Sequence, residues 1–212
     1  MGERNPFLFK DITNSEHWRV SEIILSQCLS HPNRKIIEFT DGLEWTFQDV
    51  KIKSLQKAKI LKNLNLKAGD SLTVIIEDPK EFILYWIASN FLGVMLVALN
   101  TAIKGKGLLY QINISKSKHV VVDNLIFDEV NELKKIFKLD VEILNCGELK
   151  SEELINENEV IFGKLSDNVC TMFTSGTSGP SKGVMMPNAH CVLFAIGTIE
   201  NYDLKHNHTF YI

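Results

Sequence analysis

A run of hydroxyl side chains and glycines that ends in one lysine is the part of the sequence best suited to chemistry. It reads Phe-Thr-Ser-Gly-Thr-Ser-Gly-Pro-Ser-Lys-Gly-Val over residues 173–184. Its glycines, at positions 176, 179 and 183, let the backbone enter positive-φ conformations and approach a ligand closely. Successive free N–H groups form a concavity suited to an anion. The hydroxyls can donate to phosphate oxygens, and Lys182 supplies a compact positive charge. The run therefore predicts a phosphate-binding loop.

The residues predicted to bind phosphate are those of this run that can donate through the backbone or the side chain: Thr174, Ser175, Gly176, Thr177, Ser178, Gly179, Lys182 and Gly183. A flexible Ser/Gly linker has a similar composition and is the alternative. A linker would not be expected to follow the apolar residues 169–173 directly, nor to close with Lys-Gly-Val-Met-Met. Walker A and dinucleotide-binding motifs both require glycine spacings that the sequence lacks. We expect residues 174–183 to form a loop between two strands.

This loop resembles the phosphate loop of the adenylate-forming superfamily, which contains acyl-CoA synthetases, peptide synthetase adenylation domains and firefly luciferase. The usual form there is aromatic-Thr-Ser-Gly-Thr-Thr-Gly-x-Pro-Lys-Gly. In this sequence Ser178 replaces the second Thr and keeps a hydroxyl, and Pro180 comes one position early. Weaker likeness extends over about residues 20–200, through five further stretches: 41–47, 66–77, 93–101, 107–112 and 119–123.

The resemblance implies an ATP-dependent acid:CoA ligase of fatty-acyl or carnitine type. Such an enzyme joins a small carboxylic acid to AMP, releases pyrophosphate and passes the acyl group to CoA. Mg²⁺ is implied as a cofactor, with its ligand and the family's catalytic lysine expected beyond residue 212. Residues 1–212 are thus expected to be an incomplete amino-terminal α/β domain without catalytic residues of its own. The alternative is a non-catalytic folded fragment that acts as a weak nucleotide-binding or interaction module, and a homodimer is an open alternative for its assembly.

Composition narrows the class of protein. With 212 residues, 45% of them hydrophobic and 23% charged, the chain can bury a sizeable core. A net charge of −3, with lysines scattered along the sequence, argues against nucleic acid as a partner. The four cysteines form no Cys-x-x-Cys pair and no metal-ligand spacing, so we expect reduced thiols, no metal site in these residues and a cytoplasmic location.

Residues 82–99 carry no charge and approach the length of a membrane span. Asp78 and Pro79 are typical of a helix start, and Gly93 is typical of a helix end. A buried helix followed by a short buried strand therefore explains the stretch better than a transmembrane segment, and we expect none.

The remaining pattern alternates between strands and helices, as in an α/β fold with a predominantly parallel sheet flanked by helices. Asp41-Gly42 predicts a hairpin between strands at 36–40 and 43–46, and Thr46 can cap a helix that continues to residue 64. Further strands are predicted at 72–76, 94–98, 119–122, 141–144, 169–173 and 183–186, and further helices at 79–92, 105–116, 127–138 and 187–200.

Several other polar residues invite a functional interpretation. His190 falls on the last predicted helix, where a capping or core role is favoured over a role near substrate. His206 and His208 are interpreted as a surface pair and not as metal ligands. Glu77 and Asp78 follow a predicted strand, and we expect a helix cap or a solvated turn there, not paired acid/base catalysis.

Overall fold

The computed structural model describes residues 14–174, 181–205, 208–209 and 211. Its strands are β1 (Lys35–Glu38), β2 (Glu44–Thr46), β3 (Ser71–Ile75), β4 (Met95–Ala98), β5 (His119–Val122), β6 (Glu142–Asn145), β7 (Asn168–Thr174) and β8 (Lys182–Pro187). Its helices are α1 (Val20–Ser30), α2 (Phe47–Asn63), α3 (Pro79–Phe91), α4 (Gly105–Ser115), α5 (Asn124–Phe137) and α6 (Asn188–Asn201). Short 3₁₀ turns cover Ser15–His17 and Glu157–Glu159.

Six strands form the central sheet, in the order β6-β5-β3-β4-β7-β8. The five strands from β6 to β7 are parallel to their neighbours, and β8 returns antiparallel to β7. β1 and β2 form a separate antiparallel hairpin at the predicted turn. The predicted α/β class with a mostly parallel sheet is confirmed.

Both faces of the sheet are covered, which explains why its strands are continuous apolar runs. Successive residues of β4 point to opposite faces, so that Leu96 packs in one core and Val97 in the other. The first core contains buried residues of α1, α2, α3 and α6, and the second contains residues of α4 and α5. The sheet is therefore the middle of three layers.

The apolar stretch 82–99 forms a buried helix and strand, as predicted. Asp78 accepts a hydrogen bond from the N–H of Lys80 at 2.8 Å and caps α3, whose first residue is Pro79. Gly93 ends the helix with φ +65°, and a Cβ there would lie 3.1 Å from that of Ala68. Phe91 is fully buried. Across the described residues, no helix is both long enough and apolar enough to cross a membrane.

Two helix starts differ from the prediction. The sequence pattern did not indicate α1, because Arg19 gives its first turn no side-chain cap. The side chain of Asn188 supplies one instead, accepting the N–H of Val20 at 2.8 Å from a distant part of the chain. α5 begins at Asn124 and not at residue 127, because the chain turns into the helix immediately after β5, with Asp123 in an extended conformation.

Candidate functional site

The predicted phosphate loop leaves the sheet at the tip of the β7–β8 hairpin. Thr174 and Lys182 form the last Cα pair of the ladder. Since β7 is parallel to β4, this open end lies at the carboxyl edge of the parallel strands. Ligands of open α/β sheets commonly bind at that edge. The predicted strands on both sides of the loop are confirmed, but Thr174, Lys182 and Gly183 belong to the strands themselves.

The central part of the predicted site lies outside the described residues. Ser175, Gly176, Thr177, Ser178 and Gly179 fall within the segment 175–180, and their contacts with phosphate stay predictions. The structure therefore brings together two of the predicted side chains, those of Thr174 and Lys182, at the base of the loop.

Lys182 carries an exposed ammonium group at this base. Within the described ranges of the chain it makes no ion pair. By contrast, the Nζ atom of Lys57 lies 2.6 Å from a carboxylate oxygen of Glu81. The hydroxyl of Thr174 donates to the carbonyl oxygen of Lys182 at 3.4 Å, a long contact that an incoming anion can replace at small cost. The two side chains are thus placed to bind an anion at the mouth of the loop.

Gly183 has a different role from the one expected of it. It lies in β8 opposite Phe173, and its φ is not in the positive region that the sequence argument gave it. A Cβ at this position would lie 3.0 Å from Cγ2 of Thr171 and 3.6 Å from the ring of Phe173. A side chain at this position would have to displace the methyl group of Thr171, so the close cross-strand packing favours glycine here.

Asp123 organises the same edge of the sheet, and the sequence argument missed it. It follows β5, and its carboxylate accepts the backbone N–H of Glu77, the residue that leads out of neighbouring β3. The thiol of Cys146, after β6, donates to the other carboxylate oxygen at 3.3 Å. Burial, together with this contact, raises the pKa of Cys146 to about 12. One carboxylate therefore links the ends of three strands.

Those remaining candidate residues that the structure describes do not assemble into a second site. Asp78 is the helix cap that was expected. His190 lies on the exposed face of α6, with its ring stacked on Phe194 at 4.8 Å, so the favoured capping or core role was wrong. His206 lies outside the described residues. In the part of the chain that the structure describes, no three His, Cys, Asp or Glu side chains are grouped so that they could hold a metal ion.

Comparison with characterised proteins gives acid–CoA ligases among the relatives. The chain is 28% identical over 148 residues to 2-succinylbenzoate–CoA ligase from Bacillus licheniformis, covering 68% of this chain and 29% of that enzyme. It is 25% identical over 157 residues to 4-coumarate–CoA ligase from Vanilla planifolia, covering 67% and 28%. It is 23% identical over 192 residues to long-chain fatty acid transport protein 6 from Mus musculus, covering 82% and 31%. The chain spans less than a third of the length of each of these relatives.

Solved structures share the fold. Superposition on o-succinylbenzoate CoA synthetase from Bacillus subtilis, in complex with its acyl-adenylate intermediate, gives a TM-score of 0.77 at 23% identity, covering 89% of this chain and 47% of that one. VinN in complex with 3-methylaspartate gives 0.74 at 18% identity, covering 88% and 52%.

The family assignment rests on nearly the whole chain. Residues 25–211 match the family described as AMP-binding enzyme, a range that includes the parallel sheet and the hairpin with its loop. The chain therefore belongs to the AMP-binding enzyme family.

Proposed function

We propose that this chain is the amino-terminal part of an ATP-dependent acid:CoA ligase and that its β7–β8 hairpin binds the phosphates of ATP. Membership of the AMP-binding enzyme family supports the reaction class, and so do relatives that are named as CoA ligases. Coverage of about a third of each relative supports the view that the remaining parts of the active site come from further polypeptide.

The observation that carries the proposal is the pairing of Thr174 with Lys182 at the open end of the hairpin. The ammonium group of Lys182 is exposed and has no ion-pair partner among the described residues, so its charge is free to meet a ligand. A charge held at a strand end, beside a glycine-rich run of N–H groups, fits the charge and size of a polyphosphate.

In the proposed reaction, a carboxylate oxygen of the acid attacks the α-phosphorus of ATP. The bond from that phosphorus to the bridging oxygen breaks, and pyrophosphate leaves with the bonding electrons. The thiol sulfur of CoA then attacks the acyl carbon, loses its proton, and AMP leaves. Negative charge builds on the departing pyrophosphate in the first step only. Lys182 and the loop donors would offset that charge as preorganised groups, without forming a covalent bond to substrate.

Magnesium, when bound, would supply further neutralisation of the charge on the phosphates. The described residues offer it no cluster of ligands. We therefore assign this chain the phosphate contacts alone, and propose that the magnesium ligands belong to other polypeptide.

For the acid itself we propose a fatty-acyl or carnitine-type substrate, on the basis of Asn100-Thr and the Gly-Pro-Ser-Lys-Gly run. Aromatic acids are the competing class, because two of the relatives are named for succinylbenzoate and coumarate. A cytoplasmic location stays a prediction from the cysteine pattern.

For the chain in isolation we propose weak nucleotide binding without catalysis. Three apolar side chains of the hairpin are exposed: Met172 at 57%, Val184 at 42% and Met185 at 59%. We propose that further polypeptide, or a second copy of the chain in a homodimer, covers this patch. Both half-reactions need groups to hold ribose and the reacting carboxylate, and we propose that these groups lie outside the chain.

The test is pyrophosphate release by the whole protein with ATP, magnesium and a panel of fatty and aromatic acids. Release with one class of acid, reduced by Lys182→Ala, supports the proposal. Lys118→Ala is the matched control, because Lys118 is exposed at the amino-terminal edge of the sheet, just before β5. No release with any acid, or equal rates in both variants, would contradict it. Pyrophosphate release by the 212-residue chain alone would contradict the non-catalytic role.

A further inference from the structure

Three neighbouring strands carry polar side chains at the same level of the sheet. β4 and β7 are parallel, and their last pair is Ala98 with Met172. Two residues further on, the same register brings Asn100 level with Thr174, which pairs with Lys182 of β8. Neighbouring strands lie about 4.8 Å apart, so these three residues form a row about 10 Å long. We call Asn100, Thr174 and Lys182 the polar row.

β4 keeps its course up to Asn100. The N–H of Leu99 donates to the carbonyl of Val74 in β3 at 2.9 Å, which continues the ladder beyond Ala98. The chain turns only after this point, where the N–H of Ile103 donates to the carbonyl of Asn100 at 3.0 Å. The register of the strand therefore still holds at Asn100.

The side chains of the polar row belong to one face of the sheet. Side chains alternate along a strand, and directly paired residues of neighbouring strands share a face. Leu96 of β4, Cys170 of β7 and Met186 of β8 all pack in the first core. Each of them lies four positions along its strand from a member of the polar row. The polar row therefore continues the face of the first core, at its open end.

The polarity of this face changes at the same point in all three strands. The row before the polar row is apolar and consists of Ala98, Met172 and Val184. On β3, the residue level with Asn100 is Ile76, which is buried in the first core. The polar row therefore runs from β8 across β7 and stops at β4, next to the start and end of the predicted phosphate loop.

Asn100 is exposed, and the described part of the chain uses only one end of its side-chain amide. Its Oδ1 accepts the N–H of Ala102 at 2.8 Å, within the turn that leads towards α4. A backbone N–H can only donate, so the oxygen of the amide and not its nitrogen faces Ala102. Nδ2 has two N–H donors and no partner among the residues that the structure describes. The turn therefore holds the amide in place with its donors free for a ligand.

We infer that Asn100 is a further anion-binding residue of the hairpin site, whose Nδ2 donates to the phosphate group that Lys182 holds. The inference rests on the phosphate-binding function proposed above. The members of the polar row differ in chemistry, because Lys182 supplies a charge, Thr174 a hydroxyl and Asn100 a neutral amide. A polyphosphate along the row would meet the charge at β8 and the amide at β4, and these two ends would fix its direction.

One substitution separates this role from a purely structural one. A structural Asn100 would serve only the turn, by accepting the N–H of Ala102. Asn100→Asp keeps an oxygen for that N–H, and aspartate forms such turns as readily as asparagine. It replaces the two amide donors with a second oxygen and adds a negative charge beside the phosphate. The turn is thus preserved, while binding of an anion is opposed.

The experiment measures the dissociation constant of inorganic pyrophosphate for the whole protein by isothermal titration calorimetry. We expect Asn100→Asp to weaken binding by about tenfold or more, because a like charge close to the ligand replaces a donor. Its urea midpoint should match that of the unaltered protein. Asn113→Asp is the matched control, because it adds the same charge at an exposed position of α4, and it should leave the dissociation constant unchanged.

A second variant covers the case in which Asn100→Asp does not fold. The hydroxyl of Asn100→Ser can also accept the N–H of Ala102, although more weakly, and its side chain is too short to replace the amide donors. We expect Asn100→Ser to weaken pyrophosphate binding by a smaller factor than Asn100→Asp. Unchanged binding in folded Asn100→Ser would overturn the inference.

The remaining outcomes separate the inference from the function on which it rests. If Lys182→Ala weakens pyrophosphate binding and Asn100→Asp does not, the hairpin site stands and the role of Asn100 is overturned. An equal loss in Asn113→Asp and Asn100→Asp would also overturn that role, since net charge would then explain the effect. If the unaltered protein does not bind pyrophosphate, both the inference and the proposed function fail.

Discussion

The middle strands of the sheet and the β7–β8 hairpin are built in opposite ways. Leu72 of β3, Leu96 of β4 and Val121 of β5 expose none of their surface. In the hairpin, Met172 and Met185 are more than half exposed. The middle strands pair on both sides, while β8 is the last strand of its sheet in the described part of the chain. The first region buries apolar surface within the chain, and the second presents it outward beside the candidate site.

Individual charges differ between the two regions. Two lysines of α2 beside the first core are paired, Lys51 with Glu157 and Lys57 with Glu81. Lys182 at the hairpin tip has no such partner among the described residues. A scaffold gains stability from paired and buried groups, whereas a binding site needs groups whose interactions are completed by a ligand. The difference teaches that, if the hairpin is the phosphate site proposed above, packing and chemistry occupy separate parts of this sheet.

The largest effect is expected from opening a cavity in the middle strands. Leu96→Ala should lower the free energy of unfolding by about 2–5 kcal/mol, because it leaves a void at a fully buried position. Met185→Ala on exposed β8 is the matched change and should cost less than about 0.5 kcal/mol. Urea denaturation of both variants measures the difference, and similar losses would contradict the division into two regions.

Removal of phosphate donors should act on function and not on stability. In the whole protein, Lys182→Ala and Thr177→Ala should each raise the activation free energy of the adenylation step by about 1–3 kcal/mol. This is the usual loss when a donor to a charged group is removed. The urea midpoint of Lys182→Ala should match that of Lys118→Ala. A large loss of stability in Lys182→Ala alone would make the lysine a structural residue.

Substitutions of Asp123 test whether the stability of the carboxyl edge of the sheet depends on this one side chain. Asp123→Ala removes the acceptor for the N–H of Glu77 and for the thiol of Cys146, and should cost about 1–2 kcal/mol of unfolding free energy. Asp123→Asn keeps one acceptor oxygen and should cost less. If both changes leave the urea midpoint unaltered, the carboxylate does not hold the strand ends together.

The smallest effect is expected at the cap of α2. Thr46→Ala removes the hydroxyl that accepts the N–H of Asp49 at 3.2 Å and should cost about 1 kcal/mol, whereas Thr46→Ser should be nearly neutral. Hydrogen bonds from the side chain and backbone of Thr46 lower the pKa of Asp49 from its ordinary value of 3.8. The stabilisation that the ionised Asp49 carboxylate gives to the cap is therefore fully present above pH 3.8. It is lost as the pH falls through the lower pKa that Asp49 has in the folded chain. The stability difference between Thr46→Ala and the unaltered chain should shrink in acid, and a difference that grows there would contradict this sign.

Local signals were enough to predict most of the scaffold. Asp41-Gly42 forms the turn of the β1–β2 hairpin, while Pro79 starts α3 and Gly93 follows its end. Each of these residues acts through its own backbone conformation. The start of α1 could not be predicted, because its cap comes from Asn188 across the fold. Sequence shows residues that act on near neighbours and misses those that act through tertiary contacts.

The candidate site divides in the same way. The strands beside the loop and the position of Lys182 followed from the motif. The bridging role of Asp123 depends on β3 lying next to β5, an order that differs from the order along the chain. Gly183 was interpreted as a source of positive φ, whereas the close cross-strand approach of Thr171 is what favours glycine there. Such contacts exist only once the sheet is paired.

The most direct test of the central claim compares the two half-reactions of the whole protein carrying Lys182→Ala. If Lys182 holds the pyrophosphate that departs, its removal should raise the activation free energy of acyl-adenylate formation by about 1–3 kcal/mol. Thioester formation from preformed acyl-adenylate should change much less, because the pyrophosphate has already left. An equal loss in both half-reactions would mean that Lys182 supports the fold of the site and does not bind phosphate.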